Sequence, residues 1–164
     1  MNIRQVLKSD QVTYQQIRLE ALEKEPYLFA DSFEQLRDRD LSFYEQELEN
    51  RSQPVFGAFV DEQLVGIISL RFYPIEKMAH KAMIGRFYVK EKVRGQSIGK
   101  ALFEVVMEKA KGEGIEQIQL VVAATNEQAI KVYEKQGFQR YAYEVNALKV
   151  GDVYVDEMYY VKKI

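Results

Sequence analysis

One stretch of the chain gathers residues suited to holding a phosphate. It reads Phe87-Tyr88-Val89-Lys90-Glu91-Lys92-Val93-Arg94-Gly95-Gln96-Ser97-Ile98-Gly99-Lys100. After the turn, Ile98, Ala101, Leu102, Val105 and Val106 recur at three- and four-residue steps, which predicts an amphipathic helix. The first N–H groups of a helix have no partner within it, and the macrodipole adds partial positive charge there. Glycine lets the backbone come close to a ligand. The expected product is a phosphate cradle, with Arg94 and Lys100 adding charge. Two common cradles are excluded. A P-loop needs four residues between its glycines, then Lys and a hydroxyl residue. Here Gly95 and Gly99 stand too close together, and Ala101 follows Lys100. The dinucleotide fingerprint G-x-G-x-x-G is also absent.

A second pattern follows: Asn126-x-x-Ala129-x-x-x-Tyr133-x-x-x-Gly137-Phe138. Asn126 and Tyr133 are spaced to share one helix face. An unperturbed phenol, with a pKa of about 10, is protonated at neutral pH and can donate a proton. Asn126 also suits a helix N-cap, and Tyr133 also suits ordinary packing.

The elements that must carry these residues alternate between strand and helix. Asn2–Val6 reads as a strand, and Gln11–Lys24 as a helix with Ser9 and Asp10 as cap candidates, ended by Pro26. Ser32 with Gln35 makes a capping-box pattern, opening a helical stretch, broken or continuous, to about Asn50. Val55–Val60 and Leu64–Tyr73 form a hairpin across Asp61-Glu62-Gln63. Lys81–Val89 is the next strand, with Gly85 as a bulge candidate. The cradle helix runs to about Lys111, closed by Gly112 and Gly114. Ile115–Ala123 must then run parallel to the strand ending at Val89, because a helix crossover joins them. Thr125–Gln128 is a second capping-box pattern, opening a helix to about Gln136. Phe138–Leu148 and Val153–Val161 close the chain as a tyrosine-rich hairpin.

Composition narrows the function classes. At 164 residues, with 47% hydrophobic and 29% charged residues, the chain suits one globular domain. A net charge of −2 argues against a basic nucleic-acid module. With no cysteine and the single His80, disulfides, thiolate chemistry and multi-histidine metal sites are excluded. No secretory signal or membrane span is read in the sequence, so the cytoplasm is the expected location.

Both motifs resemble those of the GNAT N-acetyltransferase superfamily. The first resembles its pyrophosphate loop, Arg/Gln-x-x-Gly-x-Gly/Ala between a strand and a helix. Arg94, Gly99 and the spacing match, and Ser97 replaces the middle glycine. The second resembles the closing motif of the same superfamily, in the right order and at a fitting distance. The resemblance is strongest from Lys81 to Phe138 and holds only in outline up to Asn50.

It implies an α/β GNAT fold: a mixed central sheet flanked by helices, with a parallel strand pair splayed at the coenzyme A (CoA) site. It implies one domain over residues 1–164 and transfer of the acetyl group of acetyl-CoA to a primary amine, by direct attack in a ternary complex and without metal. By the resemblance, Tyr133 donates to the leaving sulfur and Asn126 holds the pantetheine arm. Phe87, Tyr88 and Val89 lie along that arm, with room left by Ala123 and Ala124. Arg94, Gly95, Gln96, Ser97, Ile98, Gly99 and Lys100 take the pyrophosphate. Where a family member carries a base glutamate, this chain has Gly85-Arg86. The base therefore stays open among His80, Glu144, Glu157 and water. The acceptor is a small amine enclosed by the tyrosine-rich end, or a protein N-terminus or lysine in an open groove. The alternative of a different class is a CoA-binding sensor or interaction module without catalysis. Dimers are common in such folds, and the sequence fixes no oligomeric state.

Overall fold

Two runs of apolar residues form the centre of the sheet. β2 (Val55–Val60) and β3 (Gln63–Phe72) are buried along nearly their whole length. Such continuous apolar strands require cover on both faces. The structure, a computed structural model describing residues 1–164, provides it with helices on each side. The turn between these strands is tighter than expected. Asp61 and Glu62 both adopt positive φ, as a two-residue hairpin loop needs, and Gln63 already belongs to β3.

Together with β1 (Asn2–Gln5), β4 (Lys81–Val89), β5 (Gln117–Ala123), β6 (Gln139–Val150) and β7 (Val153–Lys163), these strands form one seven-stranded sheet. Its order is β1-β2-β3-β4-β5-β7-β6. Only β4 and β5 run parallel. One face is covered by α1 (Gln11–Lys24) and α3 (Leu41–Glu49). There Tyr14, Ile17, Tyr44 and Leu48 pack against Val55, Ile67 and Tyr88. The other face is covered by α4 (Ile98–Gly112) and α5 (Glu127–Lys135), through Leu102, Phe103, Val106, Tyr133 and the adjoining Phe138. No helix is long and apolar enough to cross a membrane.

Local chemistry explains where the observed boundaries depart from the expected ones. The helical stretch after Ser32 is broken into α2 (Phe33–Leu36) and α3, because Asp40 starts a new helix by accepting from the Phe43 N–H at 3.1 Å. Of the two cap candidates for α5, Thr125 and Asn126, the structure uses Asn126: its Oδ1 accepts from the Ala129 N–H at 3.2 Å. The bulge in β4 falls just after Gly85. Ile67 pairs with Tyr88 and Ser69 with Gly85, so Ile68 faces two residues, Arg86 and Phe87. Arg86 takes the positive φ of 50°.

Candidate functional site

The parallel ladder between β4 and β5 is very short. It joins Lys81–Met83 to Gln117–Gln119 and then stops. Beyond it, Ile84–Val89 and Leu120–Ala123 diverge, each still paired on its other edge, to β3 and β7. The inward edges are therefore left without strand partners, and backbone groups in that state seek one. At this end a cleft of about 680 Å³ opens, within the size range of small-molecule sites.

The cradle forms one wall. No backbone acceptor exists within the protein for the N–H groups from Gly95 through Lys100. The path that leaves them free has φ of 83° at Gly95 and 61° at Ser97, an alternation that points successive N–H groups toward one place. Ser97 stands at the expected N-cap position, but its hydroxyl makes no capping bond. Gly99 lies against Phe87, whose ring would be 3.1 Å from an added Cβ. The charges are less free than expected. Arg94 donates to the Val89 carbonyl and to Glu25, both at 3.0 Å, and lies over the Tyr88 ring. Lys100 is exposed and sits 3.7 Å from Glu104.

Tyr133 forms part of the opposite wall. It is buried beside Phe103 and Phe138, with ring centroids 6.1 and 6.2 Å away. Its hydroxyl has no partner in the chain, and burial alone raises its affinity for its proton. Its helix is tied down by Tyr160, which donates to Glu134 at 2.9 Å, and by Lys162, which donates to the Gln136 carbonyl at 2.7 Å. Tyr88 lines the cleft with its hydroxyl donating to Glu20; burial and that carboxylate push it up to about 12.

Of the residues singled out in the sequence, Phe87, Tyr88, Val89, Arg94, Gly95, Ser97, Ile98, Gly99, Lys100, Asn126 and Tyr133 all line this one cleft. Gln96 is exposed and lies outside its lining. Glu25, Leu28 and Phe29, from the segment after α1, complete the mouth, and no periodicity in that segment pointed to them. Phe103 of α4, outside the helix face traced in the sequence, also lines the cleft.

The three base candidates separate. His80 is exposed just before β4, at the end of the strand where the ladder is closed. The cleft lies at the other end, so His80 is not brought to it. Glu144 is exposed and accepts from the Tyr159 hydroxyl. Glu157 lies directly across from Ala123 on one side and Glu144 on the other. Partial burial, and then the Glu144 charge, raise its affinity for a proton.

Comparison with known proteins gives a consistent picture. A family model described as the acetyltransferase (GNAT) family matches residues 16–138. A spermidine N(1)-acetyltransferase of Thermoplasma acidophilum is 34% identical over 83 residues, covering 51% of this chain and 48% of that protein. The chain spans about half the length of the curated relatives it matches. The crystal structure of a ribosomal-protein-alanine N-acetyltransferase from Brucella melitensis has a TM-score of 0.87 at 24% identity, over 100% of both chains. A Salmonella typhimurium structure with its cofactor acetyl-CoA has a TM-score of 0.82 at 18% identity, over 99% of this chain and 93% of that one. At these identities the two structures establish the fold.

Proposed function

The chain belongs to the GNAT acetyltransferase family, and from that premise we propose that it passes the acetyl group of acetyl-CoA directly to a primary amine. One observation carries the reading. Gly95 and Ser97 through Lys100, whose N–H groups are unpartnered, line a cleft that Tyr133, with its unpartnered hydroxyl, also lines. The free N–H groups suit a diphosphate, and the unpaired edges of β4 and β5 suit an extended arm carrying amide groups. Asn126 lies beside that path. Acetyl-CoA supplies an acyl group on a thioester that an amine can displace. Tyr133, held protonated, donates to the sulfur as it leaves. The chain has no cysteine to carry an acyl group, which supports direct attack.

An alkylamine, with a pKa of about 10, must lose a proton before it attacks. Glu157 takes that proton. Its support is its register beside Ala123 and its raised proton affinity. The acceptor is a small amine, a reading supported by the spermidine-acetylating relative. A protein N-terminus is the second reading, and one observation favours it. Tyr141, Tyr143 and Tyr154 are about half exposed, so the hairpin leaves its face open instead of enclosing it.

Thiol release from acetyl-CoA, measured against polyamines, amino acids, aminoglycosides and peptides with free N-termini or lysines, tests this. Turnover with spermidine and none with peptides supports the small-amine reading, and the reverse supports the second. CoA binding with no release across the panel overturns the enzyme reading in favour of a binding module.

A further inference from the structure

A cluster of buried and half-buried polar side chains lies on the α1/α3 face of the sheet, and the reaction above uses none of them. Tyr14 and Arg18 of α1 are buried, the latter with 2% of its side chain exposed. Glu47 comes from α3 and Arg86 from the bulge of β4, with side chains 13% and 18% exposed. The Tyr14 hydroxyl donates to Glu47 at 3.1 Å and accepts from Arg86 at 3.2 Å. Arg86 also pairs directly with Glu47 through its other terminal nitrogen. Arg18 donates to Asp31 at 2.6 Å and turns its Nε toward Glu47 at 3.9 Å, too far for a hydrogen bond.

The two ends of this network matter most. At one end, Arg86 holds a φ of 50°, in the left-handed region that non-glycine residues seldom occupy and that persists only where the surroundings enforce it. The next three residues, Phe87, Tyr88 and Val89, line the cleft. At the other end, Asp31 follows Leu28 and Phe29, which wall the cleft from across. The network thus spans from the strand on one side of the cleft to the segment on the other.

We propose that Glu47 and Arg86 are positioning residues for acetyl-CoA binding: Glu47, with Tyr14, holds Arg86 in the left-handed bulge conformation that sets Phe87–Val89 along the cleft. The proposal rests on the acetyl-CoA reading given above. It differs from a merely structural ion pair in one respect. An ion pair needed only for stability is lost equally in Arg86→Ala and Arg86→Gly, and glycine is then the worse of the two, since it weakens a strand. If the pair serves to enforce the conformation, glycine rescues the site, because it adopts positive φ without strain.

The experiment is calorimetric titration of the full chain and its variants with CoA, with circular dichroism to show that each variant is folded. Glu47→Gln and Arg86→Ala are expected to weaken CoA binding by about tenfold. Arg86→Gly is expected to stay within about threefold of the parent, and Glu47→Gln is expected to cost less affinity when added to Arg86→Gly than in the parent. Affinity lost equally in the glycine and alanine variants, or unchanged in Glu47→Gln, overturns the proposal. Should Arg86→Ala not fold, the comparison of Glu47→Gln with and without Arg86→Gly decides alone. A parent chain that binds no CoA overturns the acetyl-CoA reading itself, and this proposal with it.

Discussion

Two polar regions lie on opposite sides of β4, and they are built on opposite principles. On the α1/α3 face, Tyr14 and Arg18 are buried, Glu47 and Arg86 half-buried, and they are largely satisfied by one another and by Asp31. At the cleft, the N–H groups from Gly95 to Lys100 and the hydroxyl of Tyr133 have no partners in the protein. Burying a polar group is costly unless it is hydrogen-bonded. The first region meets that requirement internally except at the Nε of Arg18, which has no hydrogen-bond partner, and so works mainly as architecture. The second lies mostly at the surface, with Gly95, Gln96, Ser97 and Lys100 exposed, and its partners come from solvent or a ligand. Hydrogen bonds left unmade, more than charge, distinguish the candidate site: even its arginine, Arg94, is already engaged by Glu25.

The contrast is broken most directly at Tyr133. Replacing it by Phe removes the unpartnered hydroxyl and nothing else, so turnover is expected to fall about 100-fold while CoA affinity and melting temperature hold. A variant as fast as the parent with the true acceptor would end the catalytic assignment. In the other region, Tyr14→Phe is expected to lower stability, which Tyr133→Phe leaves unchanged. It leaves the half-buried Glu47 and Arg86 each short of one partner, at a cost of about 1 kcal/mol measured by urea unfolding.

A smaller effect is expected at the hairpin, where Glu144→Gln keeps an acceptor for Tyr159 and removes the charge facing Glu157. The raised pKa of Glu157 means that the folded protein holds that proton more tightly than the unfolded chain does, so stability falls as pH rises through that pKa. The variant relieves part of this. It should melt higher than the parent at neutral pH, and the gap should close as the pH falls and Glu157 takes up its proton. The smallest change is expected from Glu25→Gln. The pair it breaks is partly exposed, so stability should move by only a few tenths of a kcal/mol. Releasing Arg94 should tighten CoA binding measurably, and weaker binding would show that Glu25 helps to hold the ligand.

What the sequence made legible follows from the range over which each signal acts. Helix periodicity and the cradle glycines are local, so α1, α4 and most of the cleft lining were readable in advance. The bulge was misplaced by one residue because Gly85 marks only a permissive backbone. The residue that takes the positive φ is Arg86, whose guanidinium pairs with Glu47, 39 positions away in sequence. The same limit hid the segment of Glu25, Leu28 and Phe29. It has no repeat and no motif, and it meets the cradle through a pair separated by 69 positions. Openness at the tyrosine-rich hairpin was also beyond reach, since alternating aromatic residues look alike whether one face or neither is covered.

The short ladder between β4 and β5 has a consequence for length. From the cradle end at Val89 back to Ile84, the unpaired stretch of β4 runs roughly 17 Å, and Met83 and Gln119 then close the gap by pairing in register. The opening is therefore a ruler with one fixed end. Anything anchored at the cradle and laid along the strand is measured against that closed end, and the sheet itself sets how far in it can reach.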